Sequence, residues 1–138
     1  MTLQQPLNRP VGERAYELVA DWTYEWKHDG IRRRITVPKG FVCDGASVPR
    51  LVWTLTGILP DGLIRAAALV HDWLYAHHGR PPSRSYQEFR RGRWVAMDAV
   101  WSRAEADRLF ARIMRDAGLG KARRRIAYLG VRVFAGWA

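Results

Sequence analysis

Hydrophobic and polar residues alternate along the chain from residue 16 to residue 37. Large apolar side chains occupy every second position of the first stretch, namely Tyr16, Leu18, Ala20, Trp22, Tyr24 and Trp26. A period of two is typical of a strand that buries one face. The turn sequence Lys27-His28-Asp29-Gly30 follows, and the alternation resumes from Ile31 to Val37. Because Asp-Gly tolerates the positive φ of a tight turn, the pattern predicts an antiparallel hairpin, to which Phe41-Val42-Cys43 adds a short third strand.

The pattern becomes helical after Arg50. A short helix is predicted from the apolar residues Leu51, Val52 and Leu55. Asp61 is a suitable N-cap for a second helix over residues 62–77. This helix is nearly all apolar between Leu63 and Val70, which is typical of a central helix buried by its neighbours.

Two further helices are predicted near the C-terminal end of the sequence. Ser102 and Glu105 have the spacing of a capping box, which predicts a helix from there to about Ala117. A last helix is predicted over residues 121–134. Residues 85–93 are too mixed in character for an assignment.

These elements together predict an α+β fold. We expect a small N-terminal antiparallel hairpin or sheet that packs on a C-terminal bundle of three to four helices. A chain of 138 residues has the usual size of one domain. The expected single domain, 1–138, comprises an N-terminal arm (1–13), a β part (14–43), a loop with a short helix (44–60) and a helical part (61–138).

The chain is strongly basic, and arginine supplies nearly all of the excess charge. The 23 Lys and Arg residues outnumber the 13 Asp and Glu residues, which gives a formal net charge of +10. Such a charge fits a polyanionic partner such as nucleic acid, anionic lipid or the cell envelope, and it also fits arginine stems that cover apolar surface. The cluster Arg123-Arg124-Arg125 is typical of a solvated helix face, and no nucleic-acid-binding motif accompanies it.

Cysteine content and hydropathy predict where the chain is made. The single cysteine, Cys43, excludes an internal disulfide and an all-cysteine zinc site. Residues 1–11 lack the apolar core of a signal peptide, and no apolar run approaches the roughly 18 residues of a membrane span. We therefore expect cytoplasmic synthesis, with no signal peptide and no transmembrane segment.

The segment His71-Asp72-Trp73-Leu74-Tyr75 carries the strongest chemical signal. Tyr75 follows His71 by four residues and so shares its helix face, while Asp72 lies in the adjacent sector. An imidazole is a candidate base, and a neighbouring carboxylate is a candidate ligand for a cation. A His-Asp pair in a buried helix equally fits a structural hydrogen-bonded pair, so both interpretations stay open.

Two acidic residues elsewhere are candidates to complete such a site. Asp107 lies in an apolar helical context and is available to orient His71 through a hydrogen bond, although taken alone it would be a surface acid paired with Arg103 or Arg108. Asp44 opens a loop whose oxygens suit a hard cation, although Asp-Gly is also a common turn. We expect His71 and Asp107 to lie within hydrogen-bond distance, with Asp44 on the same side of the domain.

Three segments of the sequence carry a joint pattern. They are Gly40-Phe41-Val42-Cys43-Asp44-Gly45-Ala46-Ser47-Val48-Pro49-Arg50, Ala67-Ala68-Leu69-Val70-His71-Asp72-Trp73-Leu74-Tyr75 and Ala106-Asp107-Arg108-Leu109-Phe110. Taken together they resemble the family called domain of unknown function 1353, over roughly Tyr16 to Val133. This resemblance implies a phage or prophage origin, and with it a virion-associated location or a phage structural protein as partner, but no activity.

The His-Asp segment also resembles the His-Asp-x-x-Tyr helix of secreted phospholipase A2, and Asp107-Arg108 is similar to the Asp-Arg of the partner helix in those enzymes. The resemblance implies that His71 activates water, that Asp72 binds calcium, and that Asp107 and Tyr75 support the base. Asp44 would add a ligand to the same divalent ion.

A third resemblance is to the His-Asp metal phosphohydrolases, whose helix is echoed by Ala67-Ala68-Leu69-Val70-His71-Asp72. That class needs a further histidine on a preceding helix, and the upstream candidate, His28, lies in a predicted turn. Four functions therefore stay open. The first is a metal-assisted hydrolase acting on lipid or cell-envelope substrates, and the second is a non-enzymatic phage structural or assembly protein in which the His-Asp network stabilises the core. The others are a metal phosphohydrolase and a nucleic-acid-binding module, for which no recognised motif is present.

Overall fold

The computed structural model describes residues 3–11, 15–43 and 65–134. Its strands are β1 (Asn8–Pro10), β2 (Tyr16–Leu18), β3 (Trp22–His28), β4 (Ile31–Val37), β5 (Val42–Cys43), β6 (Tyr86–Arg90) and β7 (Arg93–Ala96). Its helices are α1 (Arg65–Ala76), α2 (Arg103–Asp116) and α3 (Lys121–Phe134). The short helix predicted at residues 51–55, the N-cap Asp61 and the loop at Asp44 lie outside the described residues.

The first sheet is small and antiparallel, with the strand order β1-β2-β5. Its edge strand β1 lies in the predicted arm, where three residues are too few to produce a periodic pattern. The predicted continuous strand from Tyr16 to Trp26 was wrong, since β2 ends at Leu18 and β3 begins at Trp22. Between them the chain bends, and the side chain of Asp21 accepts a hydrogen bond of 2.7 Å from the backbone of Lys39.

The second sheet is antiparallel, with the order β3-β4-β6-β7. The predicted hairpin of β3 and β4 is confirmed, and its turn residues Asp29 and Gly30 both have positive φ. The unassigned residues 85–93 form β6 and the turn to β7. Their alternation was hidden because Glu88 faces inward with only 6% of its surface exposed.

Buried Glu88 is stabilised by partners from two strands. Its Oε2 accepts hydrogen bonds from Arg33 at 2.9 Å and from the hydroxyl of Tyr86 at 2.6 Å. Its Oε1 accepts hydrogen bonds from Arg90. Burial and the bond to Glu88 raise the pKa of Tyr86 to about 12, so that hydroxyl remains a donor.

Helices α2 and α3 confirm the predictions made for the C-terminal region. The side chain of Ser102 accepts a hydrogen bond from the backbone of Glu105, whose own side chain accepts one from the backbone of Ser102. This capping box starts α2, and α3 has the predicted bounds. None of the helices that the structure describes has the length and apolar character to cross a bilayer.

Helix α1 is buried along nearly its whole length, as its apolar sequence predicts. All residues from Ala66 to Tyr75 are buried, and they join one hydrophobic core with the inner face of the second sheet and with α2 and α3. Trp73 donates a hydrogen bond to Ser85, which in turn donates to the backbone oxygen of Thr36 and thereby ties α1 to β4. The α+β class is confirmed, but the sheet is not only N-terminal, because β6 and β7 follow α1.

Candidate functional site

His71 and Asp107 meet in the core between α1 and α2. The Nε2 atom of His71 lies 2.7 Å from Oδ1 of Asp107, and neither side chain has any exposed surface. The expected hydrogen-bond distance is thus confirmed. The imidazole ring packs against two aromatic neighbours, since its centre lies 4.1 Å from that of Tyr75 and 4.8 Å from that of Phe110.

The carboxylate of Asp107 joins all three helices. Its Oδ1 also accepts a hydrogen bond of 2.7 Å from the hydroxyl of Tyr75 on α1. Its Oδ2 accepts one of 2.8 Å from Nη1 of Arg132 on α3. We call His71, Tyr75, Asp107 and Arg132 the buried network.

Arg132 was not among the residues predicted from the sequence. It lies in an otherwise apolar stretch from Ile126 to Phe134, which is the same signal that identified Asp107. The reading of Asp107 as a surface acid paired with Arg103 or Arg108 was wrong. Asp107 lies on the inward face of α2 with Phe110 and Met114, and its cationic partner comes from another helix.

The charges of the network follow from these contacts. Burial would raise the pKa of Asp107, but hydrogen bonds from His71, Tyr75 and Arg132 outweigh it and hold that pKa below its ordinary value of 3.8. Burial and the bond to Asp107 hold the pKa of Tyr75 well above its ordinary value of 10.0. Asp107 is therefore an ionised acceptor, and Tyr75 is a protonated donor.

The ionised carboxylate determines the tautomer of His71. A carboxylate without a proton can only accept a hydrogen bond, so Nε2 of His71 must carry the hydrogen in their contact. In the neutral imidazole the basic lone pair then lies on Nδ1. Asp107 thus orients the ring and selects the nitrogen that can take up a proton.

Asp72 lies beside His71 in sequence but has different surroundings. Its side chain is buried, with 7% of its surface exposed, and its Oδ2 accepts a hydrogen bond of 3.2 Å from the thiol of Cys43 at the end of β5. Calcium takes six to eight oxygen ligands. The described residues contain no group of three or more metal-ligating side chains, so on their own they do not form a calcium site. The other predicted ligand, Asp44, follows Cys43 in the chain and lies outside the described residues.

His28, the histidine that a phosphohydrolase would need, is the last residue of β3, next to the hairpin turn. Its ring contacts the carboxylate of Asp29 at 3.4 Å, and its side chain is 60% exposed. Within the described part of the chain it forms no metal-ligating group with His71 and Asp72.

A cleft of about 670 Å³ opens between the second sheet and helices α2 and α3. Its lining includes Trp26, Tyr86 and Trp101 together with several arginines, but no member of the buried network. The cleft and the His71 site are therefore separate features of the fold.

Comparison with curated proteins and with solved structures found no match. The profile of one family, described as Protein of unknown function (DUF1353), matches residues 16–131. This match covers both sheets except β1, together with α1, α2 and most of α3, so it includes His71, Tyr75 and Asp107. The chain therefore belongs to the DUF1353 family.

Proposed function

We propose that the protein is a hydrolase in which His71 is the general base that activates water to attack an ester of a lipid or another cell-envelope molecule. The observation that carries this proposal is that Asp107 Oδ1 accepts hydrogen bonds from both Nε2 of His71 and the hydroxyl of Tyr75. A histidine whose far nitrogen is fixed by a buried carboxylate is the arrangement that general-base catalysis requires.

The proposed reaction uses the lone pair on Nδ1. Nδ1 removes a proton from water, and the water oxygen bonds to the ester carbonyl carbon. Collapse of the tetrahedral intermediate breaks the bond to the alcohol, and the imidazolium returns its proton to the leaving oxygen. Asp107 and Tyr75 act as positioning residues in this scheme, because they contact His71 and each other rather than substrate.

Arg132 changes what Asp107 contributes. Its guanidinium lies 2.8 Å from Oδ2 and offsets the carboxylate charge. Asp107 therefore stabilises the imidazolium less than an unpaired carboxylate would. Its main contribution is to fix the tautomer and the orientation of the ring.

Helix α3 supports a lipid substrate. Its outer face exposes Ile126 by 40%, Leu129 by 50% and Val133 by 69%. The helix carries Lys121 and four arginines and contains no acidic residue. A basic amphipathic helix with an exposed apolar stripe is suited to the surface of an anionic bilayer. The same helix supplies Arg132, which bonds to Asp107 on α2, and Asp107 in turn bonds to His71 on α1. The proposed lipid surface is therefore connected to the base through a single helix, α2.

Burial sets a requirement on the reaction. Because His71 and Asp107 have no exposed surface, substrate reaches Nδ1 only after the packing around His71 opens. We therefore expect activity on assembled vesicles, where α3 can bind, to exceed activity on dispersed short-chain esters.

Asp72 is the proposed ligand of a divalent cation. Its carboxylate is next to His71 in sequence, and it contacts Cys43, which directly precedes the second proposed ligand, Asp44. Calcium is the ion that the phospholipase resemblance favours. Parallel assays with calcium and with a chelator test this assignment.

The proposal is tested by incubating the protein with vesicles of phosphatidylglycerol and, separately, of zwitterionic phosphatidylcholine. Mass spectrometry then measures free fatty acid and lysophospholipid, with calcium, magnesium, manganese, zinc or chelator present. We expect the protein to release fatty acid from the anionic vesicles. The double variant Arg123→Ala/Arg125→Ala should bind these vesicles roughly thirty-fold more weakly, since each cation near an anionic surface contributes about 1 kcal/mol. The matched variant Arg108→Ala/Arg112→Ala should bind them like the parent. The proposal would be overturned if both double variants lost vesicle binding equally, or if no fatty acid were released under any condition.

A second candidate function is favoured by one observation, the complete burial of His71 away from the cleft. In this alternative the chain is a non-enzymatic phage or prophage assembly protein, and the buried network only joins α1, α2 and α3. Replacement of His71, argued in the Discussion, distinguishes the two.

A further inference from the structure

Five arginines line the cleft between the second sheet and helices α2 and α3, and four of them come from the two helices. Arg108, Arg112 and Arg115 are spaced i, i+4 and i+7 and so lie along one face of α2, while Arg124 comes from α3. We call this feature the arginine cleft. It contains no residue of α1, so it is independent of the proposed hydrolase site.

Most of these cations have no acidic partner. Among the residues that the structure describes, no carboxylate lies within ion-pair distance of Arg108, Arg112 or Arg124, and Arg115 reaches Asp116 only at 3.5 Å. Arg112 and Arg124 instead contact backbone oxygens at 3.4 and 3.3 Å. Like charges gathered in a concave surface raise the local positive potential, which favours an anionic ligand.

The acidic side chains of the cleft offset only part of this charge. Those that line it are Glu88, Asp98 and Glu105. Both oxygens of Glu88 are already bonded to Arg33, Tyr86 and Arg90. Glu105 is bonded within the capping box of α2. Asp98 is therefore the one lining carboxylate without such a contact in the described structure.

Aromatic rings form the other part of the lining. Trp101 packs against Tyr86 at 5.5 Å and against Trp26 at 6.1 Å between ring centres, and Tyr128 of α3 lies half-buried in the wall. Within the described residues, the Nε1 of Trp101 and the Nε of Arg33 are buried nitrogens without a hydrogen-bond partner. Buried donors of this kind are rare, and an acceptor on a bound ligand would satisfy them.

We propose that the arginine cleft binds a nucleotide, with its phosphates on Arg108, Arg112, Arg115 and Arg124 and its base against Trp101 and Tyr128. Guanidinium groups bind phosphate oxygens bidentately, and aromatic side chains stack on planar bases. The cleft volume of about 670 Å³ lies within the range of small-ligand sites. A free nucleotide and one nucleotide of a single strand present the same chemistry to this cleft.

Binding is measured by quenching of tryptophan fluorescence and by calorimetry at low salt. The probes are ATP, AMP, adenosine, inorganic tripolyphosphate and a ten-residue oligothymidylate. We expect ATP to bind at least ten-fold more tightly than adenosine or tripolyphosphate, because adenosine lacks the phosphates and tripolyphosphate lacks the base. If ATP binds more tightly than the oligothymidylate, the free nucleotide is the better ligand, and if it binds more weakly, the single strand is. Either result supports a cleft that binds phosphates and a base together.

Variants locate the site. Arg108→Ala/Arg112→Ala should weaken ATP binding ten-fold or more, whereas Arg123→Ala/Arg125→Ala, which removes the same charge from outside the cleft, should change it less than two-fold. Trp101→Leu should weaken ATP binding without affecting tripolyphosphate, and thermal melting checks that each variant is folded. Equal losses in the two double variants, or tripolyphosphate binding as tight as ATP, would overturn the proposal. The proposed vesicle hydrolysis uses none of the residues of the arginine cleft, so its outcome is independent.

Discussion

Replacing Asp107 with alanine is expected to lower the free energy of unfolding by about 3–5 kcal/mol, as for other buried ion pairs that lose one partner. The substitution leaves three donors without their acceptor, namely Nε2 of His71, the hydroxyl of Tyr75 and Nη1 of Arg132. It also leaves the charge of Arg132 uncompensated at a partly buried position. Equilibrium urea unfolding at pH 7 measures this loss.

The effect of the substitution should depend on pH. The pKa of Asp107 in the folded state is held below its ordinary value of 3.8. The ionised carboxylate therefore stabilises the fold fully at pH values above the pKa of Asp107 in the unfolded chain, and this stabilisation is lost as the pH falls through the pKa of the folded state. The difference in the free energy of unfolding between the parent and Asp107→Ala should therefore be largest at pH 7 and smaller at pH 3.

The controls for this prediction come from the same chain. Asp98→Ala removes an exposed carboxylate and should cost less than about 0.5 kcal/mol. Asp107→Asn keeps one acceptor oxygen and should be less destabilised than Asp107→Ala, which provides a measurable variant if the alanine chain does not fold. A loss of under 1 kcal/mol for Asp107→Ala at pH 7 would show that the buried network does not stabilise the protein as described.

Replacing His71 with glutamine is expected to lower kcat on phosphatidylglycerol vesicles by about 10²–10⁴-fold, the usual contribution of a general base. Glutamine has a similar volume, and its amide can donate a hydrogen bond to Asp107, but it has no basic nitrogen. The melting temperature should therefore change by only a few degrees. Parallel measurements of fatty acid release and thermal melting test both expectations.

His28→Gln is the matched control for this substitution. His28 is exposed at the end of β3 and is the residue that a metal phosphohydrolase would need as a ligand. The variant should retain the parent's activity on vesicles, and equal losses for His28→Gln and His71→Gln would contradict the assignment of His71 as the general base. Unchanged product release by His71→Gln, together with a melting temperature lowered by many degrees, would favour the structural role of the network.

The core of the candidate site could be predicted from the sequence because its polar residues interrupt apolar helices. His71 and Asp107 are costly to bury singly, so their positions on inward helix faces predict a partner for each. Arg132 carries the same signal but was overlooked, because the arginine cluster at the start of α3 suggests a solvated helix.

The rest of the fold depends on contacts between distant residues. Glu88 breaks the alternation of β6, and the arginine that compensates for it, Arg33, precedes it by 55 residues. The bend after β2 is stabilised by a hydrogen bond that the backbone N–H of Lys39 donates to the side chain of Asp21. Neither contact produces a local pattern, so hydrophobic periodicity could not reveal them. The roles of Asp44 and Asp72 as cation ligands stay predictions.

The central claim is that Asp107 holds the proton of neutral His71 on Nε2 and leaves Nδ1 as the basic atom. Nitrogen-15 NMR of histidine-labelled protein tests it directly, at a pH where the neutral imidazole is populated, with His71→Gln used to assign the signal. We expect His71 to show a protonated Nε2 and an unprotonated Nδ1. The opposite tautomer, with its proton on Nδ1, would contradict the account, because the nitrogen that faces the carboxylate would then carry the lone pair.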